Sequence, residues 1–408
     1  MTPLRIAVVN GDPGIAYGGA KGAALHLSGM VRALERCGCD VHVTTLRAER
    51  GSSPAFVASC PEPMASIVRW LKESEPSRAV LEAAELAAIG ANIPVLAHLT
   101  ERHALQPFDL VYERLSLFGT AGSRFCAKYQ VPHFLEVNAP LVDEQKRFRG
   151  LAHEDLARAI ERQLLSGAQQ VLAVSPALAR HAVALGAASE RVQVQPNGAE
   201  AQWFHRGVDG SHVRASLGFC DTDVVVGFIG GLRPWHGIEH LFAGFDRARR
   251  SNSSLRLLLV GDGPLSPMAQ ERAEKSGGVV VWRPAVAHRE VPALLAACDL
   301  LTATYAADAA PYFSPLKIAE AMLVGRPMIA SRIEGIGPLL RHGETGWLVE
   351  PGDDAAFASA LELLASDAPL RAAIGARAAE DARSRLTWDA IARRTLALAG
   401  LSNAQVPA

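Results

Sequence analysis

The chain has 408 residues, room for two or three domains with cores of their own. Lys and Arg number 41 against 42 Asp and Glu, so no charge excess marks a nucleic-acid binder or a polybasic anchor, and no nucleic-acid partner is expected. Hydrophobic residues at 49% exclude extensive disorder, and six scattered cysteines (Cys37, Cys39, Cys60, Cys126, Cys220, Cys298) exclude a disulfide framework and read as unpaired thiols in a reducing compartment.

Ile6 to Val9 is an apolar run ended by Asn10-Gly11-Asp12-Pro13-Gly14, a buried strand and turn too short for a signal peptide's apolar core. The Ala-rich region 79–98 is interrupted by Glu82 and Glu85, so no uninterrupted apolar stretch reaches the roughly 18 residues of a membrane span. The expectation is a soluble, cytoplasmic protein. After Gly22, the spacing of Ala23, Leu27, Val31 and Leu34 predicts an amphipathic helix. Further short Val/Ile/Leu-rich runs predict strands over 4–10, 40–46, 109–113, 133–138, 170–175 and 191–195. The alternation halts in the turn-rich stretch 196–222, then restarts with strands over 223–230, 255–260, 279–283, 299–304 and 327–331. Continuous apolar strands alternating with amphipathic stretches predict α/β domains with parallel sheets covered on both faces. The expected division is 1–205, 206–386 and a C-terminal helix with a flexible tail over 387–408. Ligands should lie beyond the carboxyl ends of the strands.

The loops there carry the candidate chemistry. Gly18 and Gly19 sit in a glycine-rich loop before the first helix, suited either to a phosphate or merely to a tight turn. Ala20 stands where a P-loop needs lysine, and the dinucleotide-binding pattern G-x-G-x-x-G is missing from the whole chain. Period two puts Glu136 and Asn138 on one side of a strand's carboxyl end, to bind a hydroxyl or to form a local salt bridge. Arg233 and His236, in a glycine-flanked strand-to-helix loop, suit a diphosphate, with a surface Arg and a packed His as the plain alternative. Ser314 and Pro315 read as N-cap and first residue of a helix whose N–H groups, with Lys317, offer an anion site, and Glu320 lies one turn in; a free N-cap with a surface Glu is the plain alternative. The 13 His show no ligand spacing, so no metal site is expected.

In order, the stretches YGGAKGAALHLSGMVRALERCG, VYERLSLFG, HFLEVNAPL, VLAVSPALARHA, RVQVQPNGAEAQWF, GFIGGLRPWHG, LLLVGDGP, FSPLKIAEAMLVGRPMIAS and GETGWLVEPGD resemble the retaining nucleotide-sugar glycosyltransferases of family 4, in a bacterial branch with LEVNAP and RPWHG forms. The resemblance spans essentially the whole chain. It implies the GT-B fold: two Rossmann-like doubly wound domains facing across a cleft, the first for the acceptor, the second for the donor, with the C-terminal helix crossing back. It implies that Glu320 bonds the donor ribose, that Ser314, Pro315 and Leu316 meet diphosphate and sugar, and that Pro284, Ala285 and Val286 border the nucleobase. Gly18 and Gly19 would close over the diphosphate, while Glu136 and Asn138 would face the acceptor.

The chain also departs from the family pattern. Tyr312 replaces the first of two glutamates eight positions apart, Gly231 and His236 replace the usual Arg and Lys at the diphosphate, and Asn138 replaces a histidine near the acceptor. Arg233, His236 and Lys317 are expected to take over the charge. The expected activity is metal-independent, retaining transfer from a nucleoside diphosphate sugar, a UDP-sugar ahead of a GDP-sugar, with no other cofactor. The acceptor would be a sugar, a lipid-linked molecule or a small molecule, with peripheral membrane contact allowed. A GT-B epimerase and an inactive GT-B partner protein are the alternatives.

Overall fold

The computed structural model describes residues 3–74, 78–309 and 312–401; the tail expected beyond them lies outside the described residues. The chain forms two compact units, Met1–Pro196 with Ile391–Ala408, and Asn197–Ala390. Among the described residues the first unit carries strands β1 (Arg5–Asn10), β2 (Asp40–Thr45), β3 (Phe56–Val57), β4 (Leu110–Arg114), β5 (His133–Val137), β6 (Gln170–Ala173) and β7 (Val192–Val194). They form one sheet in the order β3-β2-β1-β4-β5-β6-β7, every pairing parallel. The second unit carries β8 (Val224–Ile229), β9 (Leu255–Val260), β10 (Val280–Arg283), β11 (Leu300–Ala303), β12 (Met328–Ser331) and β13 (Trp347–Val349). Their order is β10-β9-β8-β11-β12-β13, again all parallel.

Burial explains the arrangement. All six residues of β1 are buried, so both faces must be covered, and parallel strands joined through helices achieve that. In the second unit the sides alternate along β8: Val225 and Ile229 enter one core cluster, Val226 and Phe228 the other. The helix Gly22–Arg36 buries Leu27, Val31 and Leu34 as its spacing predicts, while Ala23 is only partly covered and Ala24 and Met30 widen the stripe. The helix Arg78–Leu105 contains a stretch, Val80–Leu105, of mean hydropathy 1.5 that is long and apolar enough to cross a membrane by length and composition. Val95 and Leu99 on it nevertheless pack into the core of the first unit with Phe108 and Phe125. All six cysteines are free.

Segment 197–205, expected with the first domain, belongs to the second unit: Asn197 bonds Ser314, Ala199 pairs with Leu386 and Trp388, and Phe204 is fully buried in that unit's core. Residues from Ile391 onward are counted with the first unit, where Gln195 donates to Thr395 at 3.0 Å. Strand order reverses between β1 and β4, and between β8 and β11, and crevices open at such switch points beyond the carboxyl ends of the strands. The candidate residues lie in those loops.

Candidate active site

In the second unit, β8 ends in Gly230, whose φ of 148° lies outside the region side chains tolerate; a Cβ there would stand 3.0 Å from Lys317 Nζ. The bare backbone leaves room for that lysine, the second residue of the helix Leu316–Val324. Its ammonium lies 4.2 Å from the centroid of the Phe228 ring and is buried without a hydrogen-bond partner. Burial pushes its pKa down to about 8, with Glu320 pulling the other way. A buried, unpartnered cation is costly unless a ligand completes it.

Glu320, one helical turn further, is 7% exposed, and its Oε1 accepts from His288 Nε2 at 2.7 Å. Ser314 is not the N-cap expected of it. Pro315 caps the helix with no side-chain bond, and the Ser314 hydroxyl instead accepts from Asn197 N at 3.0 Å. The Ser314 carbonyl accepts from Asn197 Nδ2 at 2.6 Å, so serine and asparagine together fix the approach to the helix. Leu316 begins the helix, with no side chain capping its first N–H groups.

His236 departs from its expected role. Its Nδ1–H donates to the Gly231 carbonyl at 2.5 Å, and its ring lies against Phe228 and Tyr305. Burial, reinforced by Lys317 and Arg233, pushes its pKa down to about 3. The imidazole is therefore neutral across physiological pH and supplies a dipole rather than a charge. Its loop is pinned to β11's end, where Thr304 donates to the His236 carbonyl at 2.8 Å and Ala306 N to that of Trp235. Arg233 is exposed, its guanidinium 5.9 Å from the Trp235 ring centroid. Tyr312 stacks edge-on with Phe313, which in turn neighbours Tyr305 and Trp235, so an aromatic cluster occupies the loop where the family pattern has a glutamate.

Pro284, Ala285 and Val286 follow β10. Ala285 N donates to Asp262 at 2.9 Å and Val286 packs on the core. This loop leads into a short 3-10 turn, His288–Glu290, which delivers His288 to Glu320. Sequence reasoning missed His288: it belongs to no motif, and only the fold brings it next to a residue 32 positions away.

In the first unit, Gly18 has a φ of 80°, and a Cβ there would stand 2.6 Å from Ser52 Cβ. Gly19 donates to the Ala16 carbonyl within the same loop. Asn10 at the end of β1 anchors the loop's other end, donating to Ile15 O and Thr45 Oγ1 at 3.0 Å each. Glu136 and Asn138 do come together, the amide donating to Glu136 Oε2 at 2.9 Å. Glu136, however, is closed off by its neighbours. It is 4% exposed, and its oxygens also accept from His26 at 2.6 Å, from the Tyr112 hydroxyl and from Arg114 at 3.4 Å. Burial acts to raise its pKa, but His26, Arg114 and Tyr112 outweigh it and hold the carboxyl down at about 2. Glu136 is thus an internal anchor, and half-buried Asn138 is the member of the pair nearer the surface. Among the described residues, no three His, Cys, Asp or Glu side chains gather to hold a metal.

Two family models match the chain, a glycosyl transferase 4-like domain over residues 21–198 and glycosyl transferases group 1 over 223–367. A D-inositol 3-phosphate glycosyltransferase of Stackebrandtia nassauensis is 29% identical over 70% of this chain and 67% of its own. One of the same name from Corynebacterium efficiens is 26% identical over 97% and 95%. Among solved structures, Anabaena HepE in complex with UDP aligns with a TM-score of 0.70 at 21% identity, covering 97% of this chain and 99% of that one. The likeness in fold, two Rossmann-like parallel-sheet units, is the GT-B architecture. With both halves matched in order, the chain belongs to the family 4 glycosyltransferases of GT-B fold.

Proposed function

We propose that this glycosyltransferase moves a sugar from a nucleoside diphosphate sugar, a UDP-sugar by preference, to a hydroxyl acceptor with retention of anomeric configuration and without a metal. The observation that carries the reading is the Lys317–Glu320 pair. An orphaned ammonium and a carboxylate one turn apart, at an uncapped helix start, match the diphosphate and ribose of one ligand. Support for uridine comes from the neighbour's complexes with UDP and, at a TM-score of 0.67, with UDP-glucose.

In this reading the leaving diphosphate is stabilised by Lys317, by Arg233 and by the first-turn N–H groups, which oppose charge where it develops. Neutral His236, whose one N–H is taken by the Gly231 carbonyl, holds the loop in shape rather than bonding the diphosphate. Glu320 anchors the ribose, and the loop Pro284–Val286 borders the base. Asn138, an amide, is no general base; the leaving phosphate accepts the acceptor's proton, as a front-side reaction with retention requires. Glu136 holds Asn138, Arg114 and His26 in place. A thermal-shift titration with UDP, GDP, ADP and their sugars tests the reading, since a ligand bound only by the folded state raises apparent stability. Stabilisation by UDP and its sugars supports it, and no shift with any of them refutes it.

A further inference from the structure

The proposed donor site contains a contact that the assignment of Glu320 to the ribose does not explain. A glutamate on a helix has several rotamers, and a ribose diol is held well only by one presenting its lone pairs in a set direction. His288 supplies that constraint. Its Nε2–H donates to Glu320 Oε1 at 2.7 Å, and both side chains are largely buried, 19% and 9% exposed. The imidazole is itself immobilised, edge-on to Trp203 with centroids 5.7 Å apart and tilted on Phe204 at 5.3 Å. Its second nitrogen, Nδ1, is buried without a partner, so no competing bond draws the ring away from the carboxylate. The bond uses about one of the four lone-pair sites of the carboxylate, leaving the others to accept from two hydroxyls.

The position of His288 in the chain adds a second consequence. It directly follows the loop Pro284–Ala287, which is tied down at Ala285 by Asp262 and at Ala287 by Glu290 Oε1. The segment expected to border the nucleobase and the group that orients the ribose carboxylate are thus one short stretch of backbone.

Resting on the donor reading above, we propose that His288 is a positioning residue that fixes Glu320 for the ribose diol and thereby makes the site selective for ribonucleotide donors. Calorimetric titration of the full chain with UDP and with 2′,3′-dideoxy-UDP tests it in the wild type and in the variants His288→Ala, His288→Gln and Glu320→Ala. His288→Ala is expected to weaken UDP by about tenfold, a coupling within the range of contacting pairs, while leaving dideoxy-UDP within about twofold of wild type. His288→Gln, whose amide N–H reaches about as far as Nε2–H, is expected to restore most of the UDP affinity. Equal losses for both ligands, or no loss for either, overturn the proposal, because His288 would then only shape the loop or do nothing for the ribose. If Glu320→Ala is selective for UDP and His288→Ala is not, the donor reading stands and the positioning role falls. If wild type binds no UDP, or Glu320→Ala weakens both ligands alike, the donor reading itself fails and takes the proposal with it.

Discussion

The proposed donor reading predicts that nucleotide binding weakens in alkali through one side chain. Lys317 is the buried cation of the proposed donor site, and burial lowers its pKa from 10.5 to about 8. A bound diphosphate next to the ammonium favours the charged form and returns the pKa toward its ordinary range. Binding therefore takes up protons above about pH 8, and affinity falls as pH rises. With the bound pKa near its ordinary value of about 10.4, the fall is about tenfold between about pH 7 and pH 9. Lys317→Met, of similar length and without charge, should bind UDP weakly at pH 7 and show no alkaline limb, so that the two curves converge toward pH 9. His236→Gln should leave the limb unchanged, because a histidine with a pKa near 3 is neutral over the whole window. Isothermal titration at constant ionic strength measures all three profiles. A flat wild-type profile, or an alkaline limb that survives in Lys317→Met and vanishes in His236→Gln, refutes the assignment of the charge to Lys317.

Glu136→Ala should destabilise the protein by about 3–5 kcal/mol in urea denaturation, since it strands Arg114 and His26 in a buried site; a loss below about 1 kcal/mol contradicts the anchoring role. Because its folded pKa is depressed to about 2, the stability Glu136 contributes is complete above the unfolded carboxylate range and is lost as pH falls toward 2. Acid titration of the wild type should therefore show a loss of stability in that window that Glu136→Gln lacks. Donor binding and transfer should withstand EDTA, and activity that vanishes with chelator and returns with magnesium or manganese contradicts a site neutralised by Lys317 and Arg233. The glycosidic linkage of the product should keep the donor's anomeric configuration, which NMR reads directly, and an inverted anomer removes the front-side chemistry.

Relations between residues close together in the chain are legible in the sequence. The apolar runs at Ile6–Val9 and Val224–Ile229 announce strands buried on both faces because period and composition are local properties of a segment. The same locality makes Lys317 and Glu320 readable as a pair on one helical turn, and Glu136 and Asn138 as a pair on one strand face. The short strands β3 and β13 escape, being too brief to show a period. Environment and long-range contact are not legible. Ser314 looks like a cap until Asn197 claims its hydroxyl, and His236 looks like a titrating cation until burial beside Lys317 holds it neutral. Glu136 looks like a cleft residue until Tyr112, Arg114 and His26 close around it, and His288 has no signature at all until the turn after β10 sets it against Glu320. A sequence states which group each residue carries. Whether that group is charged, satisfied or free depends on desolvation and on partners tens of residues away, and only the folded chain supplies those.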